Sequence, residues 1–78
     1  MQTIFCVQTF WRQGFRMEPG QLHQFADEQE ARAVGKRLSA RRPGVVVYSV
    51  RGQPEEDFWS DPQIIARYGE APIGVSGW

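Results

Sequence analysis

The residues from Thr3 to Trp11 contain neither glycine nor proline and are rich in β-branched and aromatic side chains, which predicts a strand about nine residues long. Alternation along that strand puts Thr3, Phe5, Val7, Thr9 and Trp11 on one face and Ile4, Cys6, Gln8 and Phe10 on the other. Large apolar groups stand on both faces, so neither tolerates full exposure to water and the strand belongs in the middle of a sheet. A second run, Val45 to Val50, is the most apolar in the chain. It is too short for a helix between the Pro43-Gly44 and Arg51-Gly52 turns and reads as a second central strand. Two such strands in a chain of 78 residues pose the problem that the rest of the sequence must solve. A domain of this length buries only about 60–65% of its unfolded surface, so little chain is left to cover two apolar faces.

Turn chemistry follows the first strand at Gln13-Gly14 and at Glu18-Pro19-Gly20. Gln21 to Phe25 returns as a short polar strand suited to a sheet edge, with Phe15 and Met17 as candidates for an earlier start. Asp27 opens a helix of about fifteen residues, with Glu30 placed to complete a capping box. Glu28 and Glu30 in its first turn, and Lys36, Arg37, Arg41 and Arg42 toward its end, oppose the helix dipole. Ala31, Val34 and Leu38 form the apolar stripe, Glu28, Arg32 and Lys36 a solvated row, and Pro43 with Gly44 the stop. Arg51 to Pro62 reads as a loop. Ile64 to Tyr68 reads as the last strand, one helical turn capped by Asp61 being the alternative. The expected fold is therefore α+β, a four-stranded antiparallel sheet of order second, first, third, fourth, built β-β-α-β-β with one helix packed on one face. Residues 1–72 form a single domain and 73–78 an irregular C-terminal tail.

One helix of that length is roughly 22 Å long and covers a single face. Each large apolar side chain left wet on the other face forfeits roughly 1.5–3 kcal/mol, which predicts a second copy packed against that face or along a sheet edge as a homodimer. A two-domain enzyme with a cofactor cleft is excluded by size. Nine basic and nine acidic residues cancel, so no global field draws the chain to nucleic acid or to an anionic membrane. No apolar run approaches the roughly 18 residues of a membrane span, and Met1 to Trp11 lacks the pattern of a secretory signal, so a cytoplasmic location is expected.

Chemistry-bearing residues are few. Cys6, the single cysteine, permits no internal disulfide or zinc finger and reads as a buried inert thiol. His23, the single histidine, makes with Cys6 at most two ligands of a metal site and no recognisable catalytic pair. The acidic segment Glu55 to Asp61 lacks the alternation and central glycine of a calcium loop. No cofactor, metal or catalytic residue is therefore expected, and the chain reads as a non-catalytic interaction module. Trp11, Phe58, Trp59 and Tyr68 are the candidate contacts to a protein partner, the Phe58-Trp59 pair either docking there or folding back on the sheet. Arg32, Lys36, Arg37, Arg41 and Arg42 form a basic helix face that meets phosphates in the alternative reading, a nucleic-acid-binding accessory protein. The acidic loop of one copy meeting the basic helix of another would add electrostatic register to a dimer.

Several signatures carry a resemblance. They are Val7-Gln8-Thr9-Phe10, Glu30-Ala31-Arg32 with Arg37-Leu38, the run Gly44 to Ser49, Pro54-Glu55, Asp61-Pro62, and Ala66 to Pro72. In these the chain resembles a group of short uncharacterised bacterial proteins, mostly proteobacterial, over most of its length. The signatures are of packing and turns, and the resemblance implies no activity. The opening strand followed by an Ala-Arg-rich helix also looks slightly like peptidoglycan-binding SPOR repeats, without the second helix expected there.

Overall fold

The two runs that are apolar on both faces pair with each other. In the computed structural model, which describes residues 2–71, the elements are β1 (Gln2–Gln13), β2 (Arg16–Phe25), α1 (Glu28–Ser39), β3 (Gly44–Gln53), a 3-10 turn (Pro54–Glu56), β4 (Phe58–Trp59) and β5 (Gln63–Gly69). The sheet is antiparallel throughout, with β1 and β3 at its centre and β2 outside β1. Both β4 and β5 lie on the other side of β3, β5 along Gly44 to Ser49 and β4 at Gly52 and Gln53. The order is the expected one with one short strand more, because Phe58 and Trp59 leave the predicted loop to pair with the end of β3. The tail expected over 73–78 lies outside the described residues.

β1 and β2 are joined by a two-residue turn closed by Gln13 and Arg16. Gly14 takes φ 64° at its first central position, a conformation that a tight hairpin needs and that costs glycine little. Pairing of β1 with β3 stops at Phe10 opposite Gly44, whereas pairing with β2 continues to the turn. Residues 11–18 therefore project beyond the rest of the sheet as a two-stranded ribbon. A bulge sits at its root, where Gly20 and Gln21 of β2 together face Thr9. Its polar groups are met locally. The Gln21 N–H donates to Thr9 Oγ1 (2.9 Å), and Gln8 Nε2 donates to the Gln21 carbonyl (3.2 Å). A second bulge, at Ile65 of β5, interrupts the pairing with β3 between Val47 and Tyr48.

α1 is shorter than predicted. It ends at Ser39, and the N–H groups of Arg41 and Arg42 both donate to the Leu38 carbonyl, so these two arginines lie in the turn that follows rather than on the helix. The predicted capping box is absent: Asp27 holds the N-cap position with an extended backbone, but its side chain makes no cap bond and the Glu30 side chain makes no hydrogen bond among the described residues, while Glu28 is taken by Arg32 Nε at 2.8 Å. The buried stripe is Ala31 and Gly35, with Leu38 partly buried beside them. Gly35 brings the helix close to β3, for a Cβ placed there would stand 2.5 Å from Val47 Cγ2.

The predicted alternation of β1 holds. On the helix side Val7, Val45, Val47 and Ala31 form a core with Phe5, Phe25, Ile65 and Tyr68 packed around it. On the far side Cys6, Phe10, Val46, Tyr48 and Ala71 form a second core, flanked by Ile4, Met17 and Val50. The expectation that the far face is left wet is not met at its centre. Phe10 and Val46 are fully buried within the single chain, because the chain returns over this face at Ala71 and β2 brings Met17 to it.

Candidate interaction surfaces

The zero net charge conceals a separation along the sheet. At the hairpin end stand Arg12 and Arg16 on the ribbon, Lys36 and Arg37 in the last turn of α1, Arg41 and Arg42 after it, and Arg67 opposite Val46, against only Glu18 and Glu70. At the other end Asp27, Glu28 and Glu30 open α1 and Glu55, Glu56, Asp57 and Asp61 fill the connection to β5, against Arg32 and Arg51. Seven of nine bases thus sit at one end and seven of nine acids at the other. β3 spans the two ends, and the distance from Gly44 to Gly52 is about 27 Å at roughly 3.4 Å per residue.

At the basic end the two acids are engaged, Glu70 by Arg12 and Glu18 by Arg16 (3.0 Å). Lys36, Arg37, Arg41, Arg42 and Arg67 form no ion pair among the described residues. The guanidinium of Arg42 stacks over the Trp11 ring, 5.3 Å from its centroid, a cation–π contact. Its Nε is buried without a hydrogen-bond partner among the described residues. Trp11 lies against Gly20, where any Cβ would meet the indole Nε1 at 2.5 Å, and still leaves half its surface in water. Phe15 at the ribbon tip is fully exposed.

The expected contact residues are not one set. Trp11 follows Phe10 at one end of the sheet, whereas Trp59 pairs with Gly52 at the other. Tyr68 is half-buried in the helix-side core beside Gly35 and serves packing. The basic residues do not share a helix face either: Arg32 is tied to Glu28, and Arg41 and Arg42 have left the helix. Phe15, Arg12, Arg16 and Arg67 were not singled out from the sequence. For Phe15, Arg12 and Arg16 the signal is the Gly14-Phe15 pair, which a two-residue turn between Gln13 and Arg16 would put at a ribbon tip; Arg67 is placed only by its pairing with Val46.

A separate apolar patch survives on the far face near the acidic end. The Trp59 ring lies across Gly52 with 41% of its surface exposed, and Ile64, opposite Tyr48, is 39% exposed. Ile4 and Val50, partly buried, adjoin the far-side core on which these strands stand. On the helix side an open cleft of about 540 Å³ is lined by Thr3, Glu28, Arg32, Ser49, Arg51 and Gln63 with apolar neighbours. Glu28, its one carboxylate, is held by Arg32 Nε at 2.8 Å.

Cys6 and His23 lie on opposite faces, since Cys6 faces Gln24 and His23 faces Val7, so the register excludes a pair between them. Cys6 is instead the cross-strand partner of Tyr48. Burial pushes the Cys6 thiol up, a hydrogen bond with Tyr48 opposing in part. Burial, and then the neighbouring Cys6, push the Tyr48 phenol up to about 12. The unfolded chain releases the tyrosine proton near its ordinary value of about 10, before the folded chain does. The Tyr48 contribution to stability is therefore complete below pH ~10 and is lost as pH rises from there to about 12. Urea midpoints measured across that interval should fall, and fall less in Tyr48→Phe; equal slopes for the two proteins would refute the assignment. No group of three or more His, Cys, Asp or Glu among the described residues is placed to hold a metal ion, and no helix among them is long and apolar enough to cross a membrane. No family model matches the chain, and no curated protein or solved structure is significantly similar to it.

Proposed function

We propose that this chain is a non-catalytic protein-interaction module that self-associates as a homodimer in the cytoplasm. The observation that carries the reading is the far-face patch: Trp59 and Ile64 stay exposed beside the half-buried Ile4 and Val50, on the same sheet face whose centre the chain buries by itself. About two fifths of Trp59 and of Ile64 remains exposed, so covering them between copies recovers roughly 0.6–1.2 kcal/mol for each. A two-fold arrangement presents the same patch from both sides and closes on itself.

Charge decides how such a dimer responds to salt. The patch adjoins Glu55, Glu56, Asp57 and Asp61, so two copies meeting there repel each other, and screening strengthens their association. Docking of a basic end on an acidic end would have the opposite dependence. Sedimentation equilibrium of the full chain is expected to show a dimer that tightens between low and high salt and that Trp59→Ser weakens about tenfold or more. A monomer at high protein concentration under both conditions would remove the proposal. A dimer that dissociates with salt and ignores Trp59→Ser would reassign the contact to the charged ends.

A further inference from the structure

From the exposure of Trp11 and Phe15 at the basic end of the sheet, where Arg42 stacks on Trp11 and Arg12 and Arg16 flank the ribbon tip, we infer that the hairpin end binds single-stranded nucleic acid, stacking bases on the two rings and neutralising phosphates with the surrounding arginines. The surface is separate from the far-face patch, so the inference stands whether or not the chain self-associates.

Net charge gives no guide to this end of the molecule. The Debye length is about 10 Å at 0.1 M salt, whereas the acidic end lies about 27 Å away along β3, so a ligand at the ribbon meets a locally basic surface. Four of the five cations outside ion pairs among the described residues are arginines, whose planar fork matches phosphate oxygens in pairs. The Arg42 guanidinium already stacks on Trp11, which holds the indole as a platform with one side backed. Phe15 has no packing role that would account for a bare phenyl ring at the most projecting point of the fold. Aromatic rings of this kind gain from a base only when its flat face is free, which is the case in a single strand and not within a duplex. An acidic protein segment would use the cations and gain far less from the rings, which separates the two partners experimentally.

The test is fluorescence anisotropy of a labelled oligothymidylate titrated with the full chain. Neutralising four phosphates of a single strand, at Lys36, Arg37, Arg41 and Arg42, gives a salt slope that weakens binding about 50-fold between about 50 and about 200 mM salt. Phe15→Ala removes no buried contact, so its urea midpoint stays at the parent value while affinity falls by about 5- to 100-fold through the lost stack. Arg41→Ala weakens binding and flattens the salt slope, whereas Arg51→Ala at the opposite end changes neither. Preference for the oligonucleotide over an equally charged polyglutamate completes the expected result. Absence of binding at low salt, unchanged affinity in Phe15→Ala, or equal binding to polyglutamate would each overturn the inference, the last pointing to an acidic protein partner.

Discussion

Replacing Phe10 by alanine is expected to cost about 3–5 kcal/mol, the usual loss for a large aromatic side chain removed from a core. Phe10 is 1% exposed and is among the largest fully buried side chains. It sits where two structural demands meet. Its ring packs among Cys6, Val46, Tyr48 and Ala71 on the far face, and its backbone is the last of β1 to pair with β3 before the ribbon departs. The void left by alanine has little chance of collapsing, because β1 is held on both sides by strand pairing through this region. A domain of 78 residues has in hand about 4–12 kcal/mol at roughly 0.05–0.15 kcal/mol per residue, so the loss is on the order of half of it. Urea denaturation should show a much lower midpoint with the slope little changed. A shift below about 1 kcal/mol would mean that the far-face core contributes little to stability.

Gly35→Val is expected to cost about 2–3 kcal/mol through overpacking. The new Cβ would stand 2.5 Å from Val47 Cγ2, and Val47 is fully buried with its χ1 confined by β-branching. Neither side can yield without moving α1 away from β3, which would open the contact of Ala31 with Val7 and Val45 as well. Gly35→Ala distinguishes crowding from helix propensity. Alanine gains about 1 kcal/mol over glycine in a helix interior, so its net loss should be clearly smaller than that of valine. Thermal melts of the two variants supply the comparison. A valine variant as stable as the parent would show that the helix stands off further than the structure has it.

What could be read from the letters, and what could not, follows from how local each determinant is. Thr3 to Trp11 and Val45 to Val50 declare themselves as central strands because composition and alternation act within a few residues. The strand order then follows from hiding both, and the helix from its stripe and its Pro43-Gly44 stop. Gly35 was not legible as a contact, since a glycine within a helix pattern reads as a weak position until the strand beneath it is known. The burial of the far face depends on Ala71 meeting Phe10 and Val46 across more than twenty residues of chain, which no window reveals. The candidate surfaces were legible only in part. Trp11, Trp59 and Phe58 stand out by type, but their separation to opposite ends depends on strand register. The grouping of Arg12, Arg16 and Arg67 with the cations after α1 likewise comes from topology, because these residues are distant in sequence.

The two bulges bear on how this chain behaves at high concentration. The two longer outer strands, β2 and β5, are broken in their regular spacing, at Gly20-Gln21 and at Ile65, and β2 adds Pro19, which has no N–H to donate. A newcomer strand laid along either margin would fall out of step within a few residues. Growth into fibrils by adding copy upon copy at the sides is thereby disfavoured in a sequence with Val45 to Val47 in succession.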